Sequence, residues 1–132
     1  RPRLEMNGIR VRRDYHAVHP SIHADPEELN QVFSNLIVNA IEEMHQGGVL
    51  GITLDQSGDA IVACVSDTGG GISPETLPKI FEPFFTTKSS GTGLGLSVVL
   101  RIVRSYDGKI DVASEEGAGS MFTVSLPLHS RS

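Results

Sequence analysis

The sequence has one cysteine, no apolar run long enough to cross a membrane and no surplus of positive charge, and each shortage closes off a class of protein. A lone Cys64 has no partner for an internal disulfide, so a disulfide-stapled framework is excluded and a reducing compartment suits the chain. Cys64 lies in the apolar run from Ile61 to Val65 and reads as a packed thiol rather than a nucleophile. No stretch approaches the roughly 20 apolar residues that span a bilayer, and the N-terminus lacks the basic, apolar and cleavage-site sequence of a signal peptide. The domain is expected to be cytoplasmic and to make no membrane contact of its own, whether or not its parent protein is anchored. Beginning at Arg1 rather than methionine, the chain is expected to be a fragment of that longer parent.

Charge narrows the partners. Lysine and arginine number 11 against 16 acidic residues, a net charge of −5, whereas proteins that grip nucleic-acid phosphates carry a basic surplus or stripe. No nucleic acid is expected. A nucleotide polyphosphate is another matter, because backbone amides, a few local cations and a metal ion hold it regardless of overall charge. Two familiar nucleotide signatures are also missing. No GxxxxGK[ST] phosphate loop exists, and Gly91-Thr92-Gly93-Leu94-Gly95-Leu96 has Leu96 where a dinucleotide fingerprint needs its third glycine.

What is present fits one domain with one core: 132 residues, 39% of them hydrophobic. Gly8 to Asp14 alternates Ile9 and Val11 against Arg10 and Arg12, a strand pattern, and Ile22 begins another extended piece. Asp25-Pro26-Glu27-Glu28 predicts a helix start with an N-cap acceptor, a proline at the first position and a glutamate able to reach back. That helix runs to about His45, with Leu29, Val32, Phe33, Leu36, Ile37, Ala40, Ile41 and Met44 as its buried stripe and Gly47-Gly48 as its stop. A hairpin turning at Ser57-Gly58-Asp59 follows, its second strand central. A second helix is expected over 93–106, ended by Asp107-Gly108, and a last hairpin turns at Glu116-Gly117-Ala118-Gly119. The order predicts a two-layer α/β sandwich, a mixed, mostly antiparallel sheet with helices on one face. Residues 67–92 form a segment too long for an idle connection; it holds a short helix near Pro74 to Ile80 and a lid carrying Phe81, Phe84 and Phe85.

The chemistry-bearing residues are few. Asn35 and Asn39, one helical turn apart, project amides from one face, where their oxygens suit Mg²⁺ or their N–H groups suit a phosphate; two solvent-exposed amides are the alternative. Asp67, at the end of a buried strand, needs a donor. Either it caps a local turn, or it accepts from an exocyclic amine such as adenine's while Gly69 and Gly71 let backbone approach the base. Gly91, Gly93 and Gly95 open a helix whose free N–H groups favour phosphate. Lys88 suits a terminal phosphate. His16, His19 and His23 lie on extended chain with mixed facing and read poorly as a metal site.

Taken in order, the segments Leu29 to Ala40, Asp67 to Ile72, Phe81 to Lys88 and Gly91 to Leu96 resemble the asparagine, first glycine, phenylalanine and second glycine boxes of the catalytic ATP-binding domain of bacterial sensor histidine kinases. That family is related to the gyrase, mismatch-repair and heat-shock chaperone ATPases. The resemblance covers nearly the whole chain. It implies ATP and Mg²⁺ as ligands, with Asn39 on the metal, Asn35 at the phosphates, Asp67 on adenine and Gly71 beside the base. Lys88 and the amides of Gly93 and Gly95 are implied at the polyphosphate under an ATP lid of about 67–92, and Ser120 stands where relatives carry threonine near adenine. Glu42 and Glu43 replace a lysine that many sensor kinases have soon after Asn39.

Position 35 separates two reactions. The ATPase relatives carry a glutamate there to activate water, and an amide cannot accept that proton. The resemblance therefore implies a protein-histidine kinase with no certain catalytic residue inside this chain, acting by positioning and electrostatics. Its acceptor histidine is expected on an upstream dimerisation domain, and a response-regulator receiver domain follows in the pathway. An ATP-hydrolysing relative and a non-catalytic nucleotide-binding or partner-binding module are the competing expectations.

Overall fold

A computed structural model describes residues 9–15, 25–44, 47–82 and 95–127. The elements are β1 (Ile9–Tyr15), α1 (Pro26–Glu43), β2 (Gly48–Ser57), β3 (Ala60–Asp67), a 3-10 turn (Leu77–Lys79), α2 (Gly95–Ser105), β4 (Lys109–Glu115) and β5 (Gly119–Pro127). They follow the expected order. The five strands form one sheet in the order β1-β2-β3-β5-β4. β1 and β2 are parallel and the other neighbours antiparallel, because α1 supplies the crossover that a parallel pair needs. β3 is central, as its apolar run predicts.

Both helices pack against each other on one face of the sheet, α1 over β2 and β3 and α2 over β4. Within the predicted α1 stripe only Val32, Leu36, Ala40 and Met44 are fully buried; Leu29, Phe33, Ile37 and Ile41 pack around them half-exposed. A single helix lying on a sheet has room for one such row. Val99, Ile102 and Val103 of α2 and Leu50, Val65, Phe122, Val124 and Leu126 of the sheet complete the core. Cys64 points to the opposite sheet face, its Sγ 3.4 Å from Thr123 Oγ1, a packed thiol.

The helix ends differ in detail from expectation. α1 stops at Glu43, and Gly47 follows with φ 88°. At its start the Asp25 carboxylate accepts from Glu27 N–H at 2.9 Å, but Glu28 does not close back on the cap. It accepts instead from the hydroxyl of Tyr106, which in turn accepts the Asp25 N–H at 3.0 Å. α2 ends in a Schellman arrangement, with Gly108 N–H on Val103 O at 2.9 Å and Asp107 N–H on Arg104 O at 3.0 Å. The left-handed residue there is Asp107, φ 60°; Gly108 is small for a different reason, since a side chain would press on Leu126 of β5. No helix among the described residues is long and apolar enough to cross a membrane.

Candidate nucleotide site

The connection after β3 is built into the body of the domain. Ile72, Leu77 and Phe81 pack on the core, Ile80 is 6% exposed, and the Phe81 ring meets Phe122 edge to face at 6.4 Å. The short helix expected near Pro74 to Ile80 is the 3-10 turn Leu77–Lys79. Within 67–82, the first 16 of the 26 residues expected as a lid, these apolar side chains hold the chain to the core. Phe84, Phe85, Lys88, Gly91 and Gly93 lie outside the described residues, as do His16, His19 and His23.

The other candidate residues fall into two groups. The first lies where the helices meet. Asn35 is half-buried and its Nδ2 donates to Gly95 O at 3.3 Å, so the first asparagine holds the first residue of α2, where Gly95 and Leu96 end the second glycine box. Asn39, also half-buried, stands one turn further along α1, and Leu96 turns into the core beside Gly95. A side-chain amide oxygen at Asn39 is a hard donor of the type Mg²⁺ takes, so the chemistry of this group fits the implied metal. Among the described residues no cluster of three or more His, Cys, Asp or Glu offers a competing site.

The second group lies at the far end of β3. Asp67 is 6% exposed and its Oδ1 accepts from Gly69 N–H at 2.9 Å. The local turn expected as one alternative is therefore present, and it holds the carboxylate in place. Ser120, equally buried, pairs with Asp67 across the β3–β5 ladder. Gly69 and Gly71 also bring backbone close to backbone: a side chain at Gly69 would overlap the carbonyl of Glu43 at the end of α1, and one at Gly71, φ 75°, would overlap that of Glu115 in β4. The glycine loop is thereby wedged between the helix and the β4–β5 hairpin. Gly117 N–H on Gly70 O at 2.8 Å completes the wedge. α1 carries Asn35 near its middle, and its last residue Glu43, about 12 Å further along the axis, lies against Gly69.

Two residues in this arrangement, Thr68 of the first glycine box and Ser114 outside every box, are not among the candidates. Thr68 Oγ1 accepts from Val49 N–H at 3.0 Å and donates to Met44 Sδ at 3.9 Å, tying the loop to β2 and α1. Ser114 Oγ accepts from Ile72 N–H at 2.7 Å, donates to Gly119 O at 3.1 Å and lies 2.9 Å from Ser120 Oγ. A signal for Ser114 existed: it continues the inward series Ile110, Val112 at period two, and a polar residue in such a series needs a partner.

Comparison with known proteins places the fold in a family. The family described as histidine kinase-, DNA gyrase B- and HSP90-like ATPase matches residues 24–130. The sensor histidine kinase ZraS of Escherichia coli K12 is 50% identical over 110 residues, 83% of this chain and 24% of that protein. Sporulation kinase A of Bacillus subtilis is 41% identical over 122 residues, 92% of this chain and 20% of its own length. The chain spans about a quarter of the length of such relatives. The solved catalytic domain of histidine kinase ThkA, nucleotide-free, superposes with a TM-score of 0.86 at 33% identity, covering 96% of this chain and 84% of that one. Full-length ShkA in complex with AMPPNP gives 0.85 at 30% identity over 99% of this chain and 28% of that one.

Proposed function

This chain belongs to the histidine kinase-, DNA gyrase B- and HSP90-like ATPase family, and we propose that it is the ATP-binding half of a sensor histidine kinase. It holds Mg-ATP and presents the γ-phosphoryl group to a histidine on a separate dimerisation domain of the parent protein, for onward transfer to a response-regulator receiver domain. The observation that carries the reading is the pairing of buried Asp67 and Ser120 at the end of the central strand, beside a helix whose Asn35 holds the first residue of α2. Asp67 and Ser120 take the adenine end, with Gly71 beside the base. Asn39 would hold Mg²⁺, and Asn35, Lys88 and the amides of Gly91, Gly93 and Gly95 the phosphates. Magnesium, when bound, neutralises charge on the polyphosphate. The chain's own part is to bind and orient the nucleotide in line with its acceptor.

Asn35 favours transfer over hydrolysis. Its amide has no basic site for a proton at working pH, and its Nδ2 is engaged with Gly95 O, so water beside it gains no activation. The test has two arms. Titration of this chain with a non-hydrolysable ATP analogue, with and without Mg²⁺, is expected to give saturable binding weakened by Asp67→Asn and by Asn39→Ala; binding indifferent to both overturns the site. Supplying the parent's dimerisation domain and radiolabelled ATP is expected to give acid-labile label on histidine. Steady phosphate release by this chain alone speaks for an ATPase, and binding without label for a non-catalytic module.

A further inference from the structure

The hydroxyl network behind Asp67 has a direction. A serine hydroxyl carries one proton and two acceptor positions, and a carbonyl oxygen only accepts. All three contacts of Ser114 are hydrogen bonds at once only when it gives its proton to Gly119 O and takes the Ile72 N–H on one lone pair. What remains for Ser120, 2.9 Å away, is the other lone pair of Ser114, so Ser120 is the donor of that bond. Its single proton is then committed, and toward Asp67, its neighbour across the β3–β5 ladder, Ser120 presents lone pairs. The Asp67 carboxylate is acceptor-only when ionised. Both side chains are 6% exposed, which makes a mismatched ligand group at this point expensive.

We propose that Ser114 is a specificity-determining positioning residue. By committing the proton of Ser120, it leaves two acceptors side by side at the end of β3, so that the site favours a purine with an amino group at position 6 over one with an oxygen there. The inference rests on the reading of Asp67 and Ser120 as the base end of the nucleotide site. Ser114 itself acts through Ser120 and does not touch the ligand. It also pins Ile72 N–H, and with it the glycine loop, so a purely structural role would weaken every nucleotide alike. Only the proton-fixing role changes the ratio between bases.

The experiment is calorimetric titration of ADP and IDP, each with Mg²⁺, into the wild-type chain, Ser114→Thr and Ser114→Val. Threonine keeps the hydroxyl and valine has its shape without it. Wild type and Ser114→Thr are expected to share one IDP-to-ADP ratio of Kd. Ser114→Val frees the Ser120 proton to meet a 6-oxo group and is expected to narrow that ratio about three- to tenfold, the worth of one hydrogen bond. Should the valine chain not fold, Ser120→Ala removes the acceptor directly and is expected to narrow the same ratio. A ratio unchanged in the folded variants, with both nucleotides weakened alike or not at all, overturns the inference while leaving the nucleotide site intact. Wild type binding neither nucleotide overturns both.

Discussion

Glu28, in the first turn of α1, accepts a hydrogen bond from the hydroxyl of Tyr106, which lies 78 residues further along the chain at the end of α2. The same hydroxyl accepts the backbone N–H of Asp25 at 3.0 Å. A tyrosine from the neighbouring helix thus closes the gap between an N-cap and its N3 glutamate, which in a capping box close on each other directly. With Asn35 holding Gly95, α2 is tied to α1 at both of its ends.

That relationship predicts an alkaline weakness. Glu28 beside the phenol raises the pKa of Tyr106 above its ordinary 10.0, outweighing the opposing bond from Asp25. Above the unfolded value the native state keeps a proton that the unfolded state has lost, so stability is whole below that value and falls as pH climbs through the folded one. Urea midpoints followed between about pH 9 and 11 should fall for the wild type. Tyr106→Phe should lose this component, and a fall of equal size in the variant would assign it to other groups.

Gly71 and Gly117 share the sign of φ, at 75° and 83°, but not their surroundings. A side chain at Gly117 would enter open space, whereas one at Gly71 would collide with the backbone of Glu115 and Glu116. Gly117→Ala should cost about 1 kcal/mol, the backbone penalty alone. Gly71→Ala should cost about 2–4 kcal/mol through added overlap and should impair nucleotide binding as well. Equal costs in chemical denaturation would show that the wedge against β4 is soft.

Phe122 is 2% exposed and supports both the core and the Phe81 ring. Phe122→Ala should destabilise by about 3–5 kcal/mol, the usual range for a buried aromatic. Because Phe81 loses its ring partner, backbone amides around 77–82 should also exchange faster with solvent than the global loss accounts for. Uniform acceleration across the domain would argue against that coupling.

Asn39→Ala should remove the metal-dependent share of nucleotide affinity, about tenfold for one lost interaction near 1.4 kcal/mol. In chelator the variant and wild type should bind alike. A drop of equal size with and without Mg²⁺ would place Asn39 at the phosphates rather than on the metal.

The order of elements, the central β3, the two amphipathic helices and the four boxes are local properties, written at periods of two and 3.6 and in turn residues, and the sequence alone determined them. Asn35, Asn39 and Asp67 stand out as candidates on the same local grounds, and Ser120 through the family resemblance alone. Only the tertiary structure decided their partners. Whether Glu28 closes on its own cap or on Tyr106, which carbonyl lies against Gly71, and which hydroxyl holds Ile72 are set by sheet register and helix packing. These join residues 42 to 78 positions apart, a distance across which no local pattern propagates. The same packing holds the connection after β3 to the core through Ile72, Leu77, Ile80 and Phe81.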